Sequence, residues 1–286
     1  MSGEGIAAIV VSHDSEETID DCLSRLRAAE AVVEIRVVDN QSRDGTLEIV
    51  QRHALADPRL RFIANPDNPG FAVACNQGVR DCAAPVLAFV NPDCFVEVDS
   101  LSWLRTHAVA IRLRDGVDAL LGADLIGEDG MRDAAARRRD PDFAAMLRDR
   151  SRARLGVEVD PIRALQPVDA VSGALMLLPR ALFDRVGRFD ENYRLHAEDL
   201  DLCRRIRDAG GAVACANDVR VVHVRGVSSR SRPLFVEWHK HRGFWRYFGK
   251  FDAAHCGAGA RIAVFAMIWG RFPAAALAAF WRTLRS

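Results

Sequence analysis

Apolar residues along this chain gather in short runs separated by longer amphipathic segments. Residues 6–11 (IAAIVV), 35–38 (IRVV), 60–63 (LRFI) and 86–90 (VLAFV) are rich in β-formers, and the segments between them have helical length. Such alternation predicts βαβ units and a parallel sheet. The first helix is expected from about Ser15, with Ile19, Cys22, Leu23 and Leu26 on one buried face at i, i+3, i+4, i+7 spacing. A helix from about Asp99, a strand pair around residues 118–126 and an Arg-rich stretch over 131–154 follow. That stretch reads as a solvated helix and loop, or as a flap toward an acidic acceptor or a membrane. Residues 170–178 (AVSGALMLL) predict a buried strand, residues 179–186 a helix with Pro179 near its first turn, and 187–193 a turn. The pattern gives a first α/β half at about 1–98 and a second at about 99–225.

The last segment differs in kind. Residues 233–286 interleave aromatics with Arg and Lys and then turn strongly apolar, with Arg271 and Pro273 breaking the apolar run too early for a simple spanning helix. The 286-residue chain carries 39 basic and 39 acidic side chains. From Gly226 onward there are ten Lys/Arg against Glu237 and Asp252, or +8, so residues 1–225 carry −8. The basic tail, with Trp238, Trp245, Tyr247, Phe248, Trp269 and Trp281, predicts attachment to an anionic membrane surface; the alternative is packing on the catalytic domain or in a dimer.

Composition narrows the classes. With 49% hydrophobic and 27% charged residues the chain is globular. Seven scattered cysteines without a C-x-x-C pair exclude a disulfide framework and a zinc ribbon. The N-terminal run lacks the flanks of a signal peptide, so the cytoplasm is the expected compartment, at the inner face of the membrane if the tail binds there.

Sheets of this kind bind ligands at the carboxyl ends of their strands. Here those ends are polar: Ser12, His13 and Asp14; Asp39, Asn40, Gln41 and Ser42; Asn91, Pro92 and Asp93. Asp39 is placed to accept the imide N–H of a uracil or thymine ring, or else to cap the next helix with Ser42. Asp93 suits a hard cation such as Mg²⁺ or Mn²⁺, whose shell phosphate oxygens complete. Gly70 opens a helix whose amides favour an anion, and Asn76 on that helix reaches a phosphate or ribose, or faces solvent. In residues 195–211 (LHAEDLDLCRRIRDAGG), Leu202, Ile206 and Ala209 form the predicted buried face and Gly210 and Gly211 the stop. Asp201 pairs with Arg204 and Arg205. Glu198 and Asp199 have no such role, and a carboxylate on a rigid helix end can act as a general base. His223, on a predicted strand, is either a satisfied core or surface residue or faces the cleft, where it joins Asp93 at the cation or hydrogen-bonds a diphosphate.

The motifs VVSHDSEETIDDCL, VVDNQSRDGT, NPGFAVACNQGV, FVNPDC, VSGALMLLPRALFDRVGRFDENY and HAEDLDLCRR, in this order over residues 6–225, resemble those of family 2 glycosyltransferases, rhamnosyltransferase-like members above all. The resemblance implies an α/β GT-A fold with a mixed, mostly parallel central sheet and a helical C-terminal tail, and an inverting transfer from a nucleotide-diphosphate sugar, deoxythymidine-diphosphate rhamnose (dTDP-L-rhamnose) first and a UDP-sugar next, to a hydroxyl of a glycan or lipid-linked acceptor. It implies that Ser12, Asp39, Asn40, Gly70, Asn76 and Asn91 form the nucleotide site. Asp93 and His223 would hold the metal, and Asp199 of the Glu198–Asp199 pair would deprotonate the acceptor. Asn91 replaces the first acid of the usual D-x-D, which removes one charge from the metal site. The acidic SHDSEET segment is not the Gly-rich basic loop of a nucleotidyltransferase, and nucleic acid is not an expected partner. A catalytically silent sugar-nucleotide-binding or assembly protein of the same fold is the alternative.

Overall fold

In a computed structural model, residues 5–224 and 233–283 are described, the side chains of 278–283 excepted. The first half runs β1 (Ile6–Ser12), α1 (Glu16–Ala28), β2 (Val32–Asn40), α2 (Thr46–Ala56), β3 (Leu60–Asn65), α3 (Phe71–Val79), β4 (Val86–Val90), β5 (Cys94–Phe95) and α4 (Ser100–Asp115). The second runs β6 (Ala119–Ile126), β7 (Arg137–Arg138), α5 (Phe143–Arg148), β8 (Leu165–Pro167), β9 (Ala170–Val171), β10 (Leu175–Pro179), α6 (Arg180–Arg185), α7 (Glu198–Asp208) and β11 (Ala212–His223). The tail forms α8 (Pro233–Phe251), α9 (Ala258–Trp269) and α10 (Phe272–Thr283).

The main sheet has the order β3-β2-β1-β4-β10-β6-β11-β5, with β8 on β11. β1, β2, β3 and β4 are parallel, β10 enters antiparallel to β4, and β11 is parallel to β6. Side chains that alternate along β1 feed two cores. Ile6, Ala8 and Val10 face α1 and α4, whereas Ala7 and Ile9 face α3, α6 and α7. The expected face of α1 is fully buried, with Ile19, Cys22, Leu23 and Leu26 all at 0% exposure. The sheet is therefore mixed and mostly parallel with helices on both faces, as the sequence predicts.

Four expectations are corrected. Residues 119–126 are one strand, because β6 lies between β10 and β11 and has both edges occupied. The 170–178 run splits into β9 and β10 around Ser172–Ala174, since β9 pairs with β7 while β10 enters the main sheet. Ala209 is exposed, as α7 ends at Asp208. The Arg-rich stretch is only in part the expected solvated helix and loop: residues 143–154 are the short α5 and an exposed turn, but the stretch also contains β7, and Arg137, 2% exposed, donates to Asp124 Oδ1 at 2.7 Å and to Asn217 Oδ1 at 2.7 Å.

The tail is partly core. Tyr247 and Phe248 of α8 and Val264 and Ile268 of α9 are buried in the cluster that holds Leu200, Leu202 and Ile206 of α7. Ions join the same elements: Lys250 Nζ donates to Asp201 Oδ1 at 2.5 Å and Arg246 Nη2 to Asp190 Oδ2 at 2.7 Å. Asp201 is fully buried and accepts from Arg205 at 2.5 Å, as its expected structural role requires, whereas the other expected partner, Arg204, donates to Asp208 at 3.1 Å and Asp140 at 3.0 Å instead. Residues 258–277 are long and apolar enough to cross a membrane, with mean hydropathy 1.3, but the helix axis breaks between Trp269 and Phe272. The expected boundary at 225/226 and the side chain of Trp281 lie outside the described residues.

Candidate active site

The carboxyl ends of β1, β2 and β4 come together because β1 is the shared neighbour of the other two. Two turn residues just past these strands, Asp14 (φ 48°) and Gln41 (φ 61°), take left-handed backbone that reverses the chain within one residue. Asp39 is 2% exposed; its Oδ1 accepts from Ser12 Oγ at 3.0 Å and Ser42 Oγ at 2.5 Å, and its Oδ2 from Ser42 N–H at 3.0 Å. Asp39 thus does not cap α2, whose first free amide, that of Thr46, goes to Asp44 at 3.1 Å. Ser12 is fully buried and acts on Asp39. A carboxylate offers about four acceptor positions, so Oδ2 keeps one for a further donor.

Asn40 ties this rim together: it accepts from Asn65 Nδ2 at 2.9 Å and donates to Gly70 O at 3.4 Å. Gly70 has φ 104°, and a Cβ there would stand 2.7 Å from the Arg194 carbonyl oxygen. That carbonyl accepts the Phe71 amide at 3.2 Å, so the first amide of α3 is engaged by the 194 loop. Asn76 is likewise consumed. Its amide donates to Phe189 O and Glu191 Oε1, both at 3.0 Å, and its oxygen accepts from Phe189 N–H at 3.2 Å. It joins α3 to the 189–191 turn, a structural role in place of the expected ligand contact or solvent exposure.

On the other side of β4, Asp93 and His223 meet as the sequence suggests, because β5 pairs with the last residues of β11. Asp93 Oδ1 is 3.4 Å from His223 Nε2 and is buried without a hydrogen bond. Cys94 completes a group whose ligand atoms lie within 4.8 Å of one another. Burial, with the Asp93 charge behind it, pushes the Cys94 thiol up. An orphaned carboxylate oxygen beside an imidazole nitrogen fits a divalent cation of the Mg²⁺ or Mn²⁺ kind. Asp133, which sequence reasoning missed, stands behind the imidazole with Oδ2 3.3 Å from His223 Nδ1, the outer-shell arrangement that turns the other nitrogen toward a metal. An Asp in the stretch GMRDAAA carries no sequence signal for that role.

The second pole is the start of α7. His196 (φ 67°) and Ala197 (φ 71°) are consecutive left-handed residues immediately before Glu198, a strained entry that fixes where the next two carboxylates point. Asp199 Oδ2 accepts from Arg138 Nη2 at 2.6 Å and Gly173 N–H at 2.9 Å, and Oδ1 accepts from Leu200 N–H at 2.8 Å. Although burial opposes it, the Arg138 charge and these donors hold the Asp199 carboxyl below its ordinary value. Glu198 Oε2 is buried with no hydrogen bond. Burial, and then the Asp199 charge, push Glu198 up to about 8. At neutral pH the pair therefore holds one proton, on Glu198, and one negative charge, on Asp199. Arg138, on a strand the sequence did not reveal, is the second functional residue missed.

This ionisation has a consequence for stability. Between the ordinary glutamate value of 4.5 and about 8 the folded chain holds a proton on Glu198 that the unfolded chain has lost, so stability falls as pH rises through that window. Glu198→Gln keeps the shape of the neutral acid and removes the titration. Its thermal midpoint should match the wild type near pH 5 and exceed it at pH 9; equal pH slopes in the two proteins would contradict the assignment.

One short connection spans both poles. In Ser172–Ala174, the Ala174 carbonyl accepts the Asn91 amide at 2.8 Å while the Gly173 amide donates to Asp199. The strand end carrying Asn91 and Asp93 is thus two residues of backbone away from the carboxylate pair.

Residues 7–112 match the family model for Glycosyl transferase family 2. The chain is 26% identical to the N-acetylglucosaminyl-diphospho-decaprenol L-rhamnosyltransferase of Mycobacterium tuberculosis, over 77% of this chain and 79% of that protein. It is 25% identical to rhamnosyltransferase WbbL of Escherichia coli, over 85% and 92%. Against glycosyltransferase AglE of Haloferax volcanii identity is also 25%, over 76% of this chain and 66% of the relative. Among solved structures, the mannosyltransferase PcManGT of Pyrobaculum calidifontis, in complex with GDP-Man and Mn²⁺, superposes with a TM-score of 0.59 at 20% identity, over 97% of this chain and 73% of that one. The shared sheet, the acidic strand ends and these relatives agree: residues 7–112 carry a family 2 glycosyltransferase domain, and the chain is a glycosyltransferase enzyme with a GT-A fold.

Proposed function

We propose that this enzyme moves a sugar from a nucleotide-diphosphate donor to a hydroxyl group of a glycan or lipid-linked acceptor, with inversion at the anomeric carbon. The observation that supports this reading is the Ser172–Ala174 connection, whose Gly173 amide donates to the Asp199 carboxylate while its Ala174 carbonyl accepts from the Asn91 amide, two residues before Asp93. Residues 1–98 bind the nucleotide in this reading, with Asp39 on the base, and residues 99–225 shape the acceptor side. Asp93 and His223 hold a divalent cation, which when bound neutralises charge on the departing diphosphate. Asp199 takes the acceptor proton, the acceptor oxygen bonds the anomeric carbon, and the bond to the diphosphate breaks with its electron pair leaving on the diphosphate. One proton moves and one bond replaces another.

The similarity to two rhamnosyltransferases supports dTDP-L-rhamnose as donor, ahead of a UDP-sugar. The decaprenol-linked substrate in the name of the mycobacterial relative supports a lipid-linked acceptor, handled at the cytoplasmic face of the membrane. Exposed Trp238, Ile262, Phe265 and Leu277 on the tail support a membrane contact there.

Calorimetric titration with dTDP, UDP, GDP and ATP, each with and without Mn²⁺, tests the site. Metal-enhanced binding of dTDP or UDP is expected, and Asp93→Ala should weaken it at least ten-fold. Folded protein that binds no diphosphate under any of these conditions would refute the transferase reading in favour of a silent family member.

A further inference from the structure

The Glu198–Asp199 pair is nearly symmetric by chemistry, with two carboxyl groups on adjacent residues, both buried and sharing one charge. Something must decide which of them is ionised. The elements packed around the pair present few candidates among the described residues. His196, on the same loop, is buried, and desolvation lowers its pKa, so it is a neutral imidazole. Lys240 and Glu237 of α8 act on that imidazole with opposite signs. Cys75 of α3 and Cys203 of α7 are thiols pushed up by burial. The remaining cation is Arg138.

Arg138 is held from both sides. Strand β7 is anchored by its neighbour Arg137, buried on Asp124 and Asn217, and by the β7–β9 pairing that sets Arg138 opposite Ala170. The guanidinium then donates through Nη2 to Val171 O at 2.5 Å and to Asp199 Oδ2 at 2.6 Å. Its side chain is only 15% exposed, so solvent screens the pair weakly. No hydrogen bond runs from Arg138 to Glu198: Arg138 Nε and Glu198 Oε2 are both buried and unpartnered. The arrangement is one-sided, with every strong donor on Asp199 and none on Glu198 Oε2.

We infer that Arg138 is the positioning residue of the carboxylate pair: it fixes Asp199 as the ionised, proton-accepting member and leaves the retained proton on Glu198. The inference rests on the base assignment proposed above. Arg138 touches no reacting atom in this scheme. It occupies Oδ2, so that Oδ1, which accepts only the Leu200 amide, is the oxygen turned to the acceptor hydroxyl. The acceptor proton passes to Oδ1 and the Arg138 contact at Oδ2 persists through the transfer.

The test uses the full chain with ¹³Cγ-labelled aspartate, the Asp199 carboxyl resonance being assigned by its loss in Asp199→Asn. In the wild type this resonance should remain that of a carboxylate throughout the pH range in which the protein is folded. In Arg138→Gln its midpoint should rise by at least about one pH unit, into the folded range, because the stabilising charge has gone. Arg138→Lys should move it less, and it decides the matter if Arg138→Gln does not fold. An Asp199 resonance that stays a carboxylate over the same range in a folded Arg138 variant overturns the inference, since a merely structural arginine would leave it unmoved. This readout needs no acceptor and no turnover. Failure here is therefore separate from failure of the base assignment, which Asp199→Asn kinetics report.

Discussion

Asp199→Asn is expected to lower turnover by about 10² to 10⁴ while leaving nucleoside-diphosphate affinity nearly intact, the range over which a positioned general base contributes. The amide keeps the shape and still accepts from Gly173, but it cannot take a proton from the acceptor. Nucleotide binding should survive because the contacts that order the base end of the site, Ser12 and Ser42 on Asp39, lie at the far strand ends. Steady-state kinetics together with calorimetry separate the two effects. A variant retaining more than about a tenth of wild-type turnover would remove Asp199 from the mechanism, given the expected contribution of a base.

Removing residues 233–286 is expected to abolish folding instead of releasing a soluble catalytic domain. Tyr247 and Phe248 are 0% and 1% exposed in the core that also contains Leu200, Leu202 and Ile206. Deleting one such aromatic typically costs about 3–5 kcal/mol, so losing both approaches a total stability of about 5–15 kcal/mol. The truncation also strips Lys250 from the fully buried Asp201. Loss of a cooperative thermal transition is the outcome to look for; a truncated chain with a wild-type midpoint would refute the packing argument. The lipid question is therefore better asked of the whole chain. Ile262→Ser and Leu277→Ser combined should reduce sedimentation with anionic vesicles several-fold without shifting the thermal midpoint, since both side chains are exposed.

Much was readable from the sequence because local pattern dictated it. The β1 and α1 periodicities marked their buried faces, and the apolar strands ending in SHD, DNQS and NPD located the polar rim. Asp201 declared its partner Arg205 through i, i+4 spacing, whereas His223 meets Asp93 only because β11 pairs with β5. Residue type and spacing suffice where a contact lies within one element or where a strand must end at the ligand face.

Other assignments depended on contacts between residues far apart in the chain. Asn76 reads as a ligand residue on an exposed helix face until the 189–191 turn, more than a hundred residues later, closes over it. Arg138 reads as one more cation in a basic stretch until β7 pairs with β9 and delivers it to Asp199, 61 residues away. The ionisation of Glu198 and Asp199 is set by burial and by that guanidinium, neither of which is a property of the local sequence. The sequence determined the parallel half of the sheet and which carboxylates line its rim, because these follow from hydrophobic period and local residue order. Only the tertiary structure decided which carboxylate is charged, which amides remain free and that α8 belongs to the core, because desolvation and pairing between distant segments exist only once the chain has closed on itself.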